Sequence, residues 1–211
     1  MNQPLAYIHP NARIADDVKI EAFAWIGEDV EIGSGTWIGP NAVIMDGARI
    51  GKNCKIFPGA VISAIPQDLK YKGETTYCYI GDGTTVRESA TVNKGTVASG
   101  KTVVGKDCLL MAFTHVAHDC YLGDHVIMAN AATLAGHITV DDWAIFGGLA
   151  AVSQFCRIGA HVMICGGAMV NKDIPPFVKT GTGHPVCYAG VNSIGLMRRG
   201  FSRERINAIQ D

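Results

Sequence analysis

The chain has 211 residues, 48% of them hydrophobic, and carries 18 Lys+Arg against 19 Asp+Glu for a formal charge of -1. That length suits one domain with at most a small appendage, and the balanced charge excludes an electrostatic nucleic-acid binder, which needs a cationic surface. No apolar run approaches the roughly 18 residues that cross a bilayer, and the opening MNQPLAYIHP lacks the charged and apolar regions of a secretion signal, so the expectation is a cytoplasmic protein that does not span a membrane.

A six-residue ladder starts near the N-terminus. Isoleucine stands at 8, 14, 20, 26, 32, 38, 44, 50, 56 and 62, and the residue four places later is small or β-branched, as in Ala12, Val18, Ala24, Cys54 and Ala60. The ladder is interrupted after Ile62, returns at Ile80, Val86 and Val92, is interrupted again near Ser99, and then runs from Val104 through Leu110, Val116, Leu122, Met128, Leu134, Val140, Phe146, Val152, Ile158 and Ile164 to Val170. A period of six fits neither a helix nor an alternating hairpin sheet; it fits short strands joined by tight corners, three to a coil of 18 residues. Parallel coils about 4.8 Å apart give a prism whose inward aliphatics stack on their counterparts one coil away. The expectation is an all-β solenoid over residues 1–174, with most of the seven cysteines as small inward hydrophobes and free thiols.

Two insertions leave the ladder, one near 63–79 and one near 97–102. The first, SAIPQDLKYKGETTYCY, is polar and is either a solvated loop or a functional arm; the second is short and uninformative. Past Val170, Pro175, Pro176 and the glycines argue against regular structure, so 175–211 reads as a cap or crossover. It leads into the start of a helical region, with Ser202 as N-cap and Ile206 and Ile209 at helical spacing. So short a helix has nothing evident to pack on, which suggests a C-terminal helical region cut short.

Three of the seven histidines share one window, His115, His118 and His137. One coil of 18 residues carries His118 to Gly136 and then to Gln154, so an imidazole lies one rung from the backbone amide of a residue with no side chain. Acyl transfer needs such a pair, a base for the attacking hydroxyl and an N–H for the oxyanion. Asp119 follows His118, but neighbours on a strand point to opposite faces, so their contact requires a corner. Zinc is the competing chemistry for clustered imidazoles. The cysteines have no partners that would activate a nucleophile.

The [Ile/Val/Leu]-Gly hexads resemble those of the hexapeptide-repeat acyltransferases. The run LLMAFTHVAHDCYLGDHVIMANAATLAGHITVDDWAIFGGLAAVSQFCRIGAHVM, with IPQDLKYKGETT, RESATVNKGT, DIPPFV and GLMRRGFSRE, is similar to the family that begins lipid A synthesis by acylating UDP-N-acetylglucosamine. The resemblance covers almost all of the chain up to residue 205. It implies a left-handed parallel β-helix with a short C-terminal helical segment, a homotrimer, and transfer of a 3-hydroxyacyl chain from acyl carrier protein with no metal or cofactor. It implies His118 as general base, Asp119 as its orienting acid and Gly136 as oxyanion donor. His115, His137, Gln154, His184 and Asn192 match cleft positions, Asp68 and Lys70 nucleotide-sugar contacts, and Arg198, with Arg199 beside it, a phosphate contact. Gly166 falls at the position that limits acyl length. Asn93 and Ser153 stand where the family often has histidine, with Asn93 still placed among the substrate contacts. Three other readings stay open, a β-helical zinc hydratase with a three-histidine site, a different hexapeptide transferase that uses acetyl-CoA, and a nucleotide-sugar-binding β-helix without turnover.

Overall fold

The computed structural model describes residues 4–210. Short parallel strands, mostly of two residues, build a left-handed parallel β-helix with three faces: the first begins at Tyr7–Ile8, the second at Arg13–Ile14 and the third at Lys19–Ile20. The ladder sets the register. On the first face Ile8 pairs with Ile26, Ile26 with Ile44 and Ile44 with Ile62, each 18 residues on. Most inward residues of the ladder are fully buried, and with the small residues between them they form one continuous core. Each buried aliphatic contributes about 1.5–3 kcal/mol, which makes the stacked ladders the main folding term.

Phe146 is the largest of these side chains and is fully buried, stacked between Met128 and Ile164. Phe146→Ala is expected to cost about 3–5 kcal/mol. Denaturant unfolding would show it, and a loss below about 1 kcal/mol would mean that the ladder does not dominate stability.

Most corners are closed by a residue in the left-handed region three places after a ladder residue, for example Asn41 (φ 57), Asp119 (φ 58), His137 (φ 62) and Phe155 (φ 66). Two places after a ladder residue, the corner amide has no part in the ladder, and prolines, which lack an N–H, occupy this position at Pro10, Pro40, Pro58 and Pro176. Where an aspartate of the next coil is in reach, this amide donates to its carboxylate: Lys52 to Asp82 at 2.7 Å, Lys106 to Asp124 at 2.7 Å and Asp124 to Asp142 at 2.8 Å.

Both insertions leave at one edge, between the first and second faces. Ile62 pairs with Val92 and Val92 with Val116, so the two excursions add twelve and six residues to a coil. Both are multiples of six, which keeps the ladder in phase beyond them. The loops are narrower than the sequence reading drew them, because strands Val61–Ala64, Tyr77–Ile80 and Lys101–Val104 continue the sheets into the segments assigned to insertion. The loops proper are 65–76 and 94–100.

Beyond the last coil the expectation of irregular backbone fails in part. Pro175 and Pro176 sit in the corner, and the chain then forms strand Val178–Thr180, parallel to Met163–Ile164, and an antiparallel partner, Tyr188–Val191. Helix α1 (Ser193–Arg198), which the sequence reading did not foresee, and helix α2 (Arg203–Gln210) follow. The N-terminus of α2 is held as expected, with the Arg205 amide donating to Ser202 Oγ at 3.3 Å. It does have something to pack on: Ile206 is buried, and the helix lies on strand Tyr188–Val191. No helix among the described residues is long and apolar enough to cross a membrane.

Candidate active site

The edge that releases both loops also carries the histidine cluster. His118, Gly136 and Gln154 occupy its second corner position in successive coils, and Asp119, His137 and Phe155 its third. The left-handed φ of Asp119 turns its carboxylate back toward the preceding residue, which supplies the corner that sequence alone left undecided. His118 Nδ1 lies 2.8 Å from Asp119 Oδ2, with both side chains almost wholly buried.

Asp119 is held from several sides. The Thr96 amide donates to Oδ1 at 3.0 Å, Thr96 Oγ1 to Oδ2 at 2.7 Å and the Ser99 amide to Oδ1 at 3.2 Å, while Ser99 Oγ also contacts Oδ1. Its own amide donates to Thr102 Oγ1 at 2.9 Å. Burial is the largest single influence on this carboxyl and would raise its pKa, but the bonds from Ser99, His118 and Thr96 together outweigh it and hold the group at about 2. An ionised carboxylate only accepts, so His118 carries its proton on Nδ1 and presents the Nε2 lone pair outward. The 94–100 loop, uninformative in the sequence, is thus what secures the acid.

The His118 ring packs closely on Gly136. A Cβ at residue 136 would stand 2.6 Å from His118 Cε1 and 2.8 Å from Nε2, so only glycine permits this approach. Among the described residues the Gly136 amide makes no backbone hydrogen bond, whereas the flanking Ala135 and His137 amides are bonded to Val152 O and His118 O. The free amide is of the corner type that holds a carboxylate oxygen at three other coils. His137 meets His118 edge-on, with ring centroids 5.0 Å apart, and stacks on Phe155 at 4.7 Å.

Of the other candidates, His115 lies on the outer side of the first face, its Nδ1 2.7 Å from Thr91 Oγ1, and burial, then the neighbouring His118, lowers its pKa. Asp68 and Lys70 of the first loop share a cavity of about 170 Å³ with Tyr71, Thr96 and His137. Gln154 and Ser153 are exposed on the same edge. On the first face an apolar groove of about 300 Å³ starts at Thr133 and Ala135, beside Gly136, and passes Ala151 to Met169, with His184 on its wall. Gly166 does not line this groove; it sits at the next corner, where a Cβ would meet Gly148 O at 3.1 Å. Asn93 is buried, with Oδ1 unpartnered.

Asn192 and the arginines lie elsewhere in the chain. Asn192 caps α1, its Oδ1 accepting from the Gly195 amide and its Nδ2 donating to His161 O at 2.9 Å, so both ends of the amide are engaged. Arg199 rests over the Trp143 ring and reaches His161 Nδ1 at 3.3 Å, on the edge between the second and third faces. Arg198 is exposed in the last turn of α1. Within one chain these three residues are not brought to His118. Thr96, Ser99 and Met169 are the neighbours of the site that the sequence reading missed; Met169 had a readable sign, a long apolar residue at an outward position.

One cluster of three potential metal ligands occurs among the described residues, His118, Asp119 and His137. Its donor set suits a proton relay better than a cation. The Asp119 oxygens are taken up by Thr96, Ser99 and His118, and His115 does not join the cluster, so the three-histidine zinc site is not assembled within the chain. The thiols beside this edge are poor nucleophiles: burial pushes Cys120 up to about 12 and also raises Cys156.

A β-helix of hexads with a histidine–carboxylate pair at one edge defines a class, the hexapeptide acyltransferases. Residues 29–64 and 101–136 match the family described as bacterial transferase hexapeptide (six repeats), and residues 173–211 match the second domain of UDP-N-acetylglucosamine O-acyltransferase. An acyl-[acyl-carrier-protein]–UDP-N-acetylglucosamine O-acyltransferase of Xanthomonas euvesicatoria is 50% identical over 208 residues, which is 98% of this chain and 79% of that protein. The same enzyme of Stenotrophomonas maltophilia is 49% identical over equal shares. The crystal structure of a UDP-N-acetylglucosamine acyltransferase from Bacteroides fragilis superimposes with a TM-score of 0.98 at 50% identity, covering 100% of this chain and 82% of that one; the Francisella novicida enzyme gives 0.98 at 39%, covering 100% and 77%. The chain belongs to the acyl-[acyl-carrier-protein]–UDP-N-acetylglucosamine O-acyltransferase family and is an O-acyltransferase.

Proposed function

We propose that the chain transfers a 3-hydroxyacyl group from the thioester of acyl carrier protein to the 3-hydroxyl of UDP-N-acetylglucosamine, the opening step of lipid A synthesis. The observation that carries the reading is the His118–Asp119 pair lying against the unbonded amide of Gly136 at the head of an apolar groove. His118 Nε2 takes the hydroxyl proton as the oxygen attacks the thioester carbon, and the Gly136 N–H donates to the oxyanion that forms. Collapse of the intermediate breaks the C–S bond, and the leaving thiolate takes the proton from His118. No metal or covalent acyl-enzyme is needed.

Asp68, Lys70 and His137 around their shared cavity suit the nucleotide sugar, and His115, Asn93 and Gln154 are assigned to the same substrate. The arginine fork of Arg198 and Arg199 suits a diphosphate, which it can pair bidentately. These arginines and Asn192 lie on a different edge from His118, and a homotrimer resolves the separation by setting one edge of each subunit against another edge of its neighbour. His184 and Met169 then border the acyl chain.

The test is incubation of the protein with UDP-N-acetylglucosamine and a panel of 3-hydroxyacyl carrier proteins, following product mass. A 3-O-acylated nucleotide sugar is the expected product, and its mass reports the preferred chain. Absence of product with every chain length, from a folded protein, would overturn the assignment. Stoichiometric zinc on elemental analysis would then favour the hydratase. Gly166→Met is expected to shift the preference toward shorter chains, since it adds bulk at the corner beside the Met169 strand; an unchanged length profile would remove Gly166 from that role.

A further inference from the structure

The end of the TVNKGT stretch, Gly95 and Thr96, has no part in the proposed chemistry, yet the structure puts it against the catalytic acid. Gly95 brings the 94–100 loop tight against Lys101, where a Cβ could not fit, and its carbonyl accepts from Thr76 Oγ1 at 2.6 Å, which ties this loop to the end of the first. The next residue, Thr96, receives the Ala98 amide on its hydroxyl at 3.2 Å. That bond occupies a lone pair of Oγ1, and the single hydroxyl proton is aimed at Asp119 Oδ2, 2.7 Å away, the same oxygen that binds His118 Nδ1. Ser99 Oγ has two acceptors in reach, Asp119 Oδ1 and Lys101 O at 2.8 Å, and the charged one makes the stronger bond. A histidine base is only as well placed as its acid, and nothing else among the described residues donates a side-chain hydroxyl to this carboxylate.

We propose that Thr96, with Ser99 in support, is a positioning residue of acyl transfer: its hydroxyl fixes Asp119 Oδ2, which in turn fixes the tautomer and direction of His118. This rests on His118 being the base. Thr96 borders the cavity assigned to the nucleotide sugar, but its hydroxyl is turned to Asp119 Oδ2, so it acts through Asp119. Its loss therefore falls on the chemical step while substrate binding is kept, and the hydroxyl is the part that matters, since the Thr96 amide remains in any substitution.

The experiment compares Thr96→Val, Thr96→Ser and Ser99→Ala with native enzyme and with His118→Ala, measuring kcat and the KM for UDP-N-acetylglucosamine. Thr96→Val keeps the side-chain shape without the hydroxyl and is expected to lower kcat about 10–100-fold, the scale of a misplaced catalytic group, with KM changed less than about twofold. Thr96→Ser restores the hydroxyl and is expected to stay within about threefold of native, on the same scale. Equal kcat in Thr96→Val and native enzyme, equal losses in Thr96→Val and Thr96→Ser, or a loss confined to KM would each overturn the positioning role while leaving His118 as base. Native turnover in His118→Ala would overturn both. If Thr96→Val does not fold, the downfield proton resonance of His118 Nδ1–H in Ser99→Ala and Thr96→Ser decides: it should move in the first and persist in the second, and an unmoved resonance in Ser99→Ala counts against the proposal.

Discussion

His118→Ala is expected to lower kcat by about 10³- to 10⁴-fold, the upper part of what a positioned general base contributes, while binding of UDP-N-acetylglucosamine changes little. The expectation follows from where the ring sits. Its Nδ1 is committed to Asp119 and its Nε2 is the free base atom, so truncation removes the proton acceptor and no other group on this edge can replace it. His137 does not substitute, because its Nε2 lies 3.9 Å from Asp119 Oδ2, beyond hydrogen-bond reach, so no carboxylate bond sets its tautomer. Folding should survive, since Thr96 and Ser99 continue to satisfy the buried carboxylate. The pH profile gives a second readout. Asp119 is held at about 2, so it stays ionised throughout the working range, and any stability it contributes is present above the ordinary carboxylate pKa and lost only as pH falls toward 2. The acid limb of kcat/KM should therefore contain no contribution from this carboxylate above pH 4. A residual rate within tenfold of native would refute the base assignment, and a carboxylate step in that limb above pH 4 would show that Asp119 titrates with the imidazole.

The parts of this site that were legible in the sequence are those that obey the coil. His118 and Gly136 are 18 residues apart, one turn of the β-helix, so their apposition could be found by counting, and the inward ladder fixed the three faces in the same way. The contact of His118 with Asp119 was not legible, because it depends on a left-handed corner residue that the hexad pattern places without saying where its side chain turns. Thr96 and Ser99 escaped for a different reason. They are 23 and 20 residues from Asp119, and the six inserted residues spoil the count in the one coil where it mattered. Asn192 and Arg199 belong to the segment after the ladder, where packing on Trp143 and His161 follows no period. The same loss of period hid the hairpin: Pro175 and Pro176 do interrupt the backbone, but they do so at a corner, and pairing resumes two residues later.

Gly136→Ala is expected to lower kcat about 10²-fold or more although it removes no polar group. The added methyl would stand 2.6 Å from His118 Cε1 and 2.8 Å from Nε2, contacts that real atoms do not sustain, and a tight 3.2 Å from Nδ1. The backbone of residue 136 is pinned on both sides by the Ala135 and His137 amide bonds, so the imidazole is what moves. Moving it lengthens the 2.8 Å bond to Asp119 and turns Nε2 away from the hydroxyl, and displacements near 1 Å are known to cost about 10²-fold. The oxyanion amide is still present in this variant, which separates it from an ordinary donor deletion. Its kcat loss should therefore come with a shifted His118 Nδ1–H resonance and near-native binding of the nucleotide sugar. Activity within about threefold of native, against that 10²-fold expectation, would show that the close packing of His118 on Gly136 is not the geometry in which the base works. An equal loss with the His118 resonance unmoved would instead assign the effect to the amide alone.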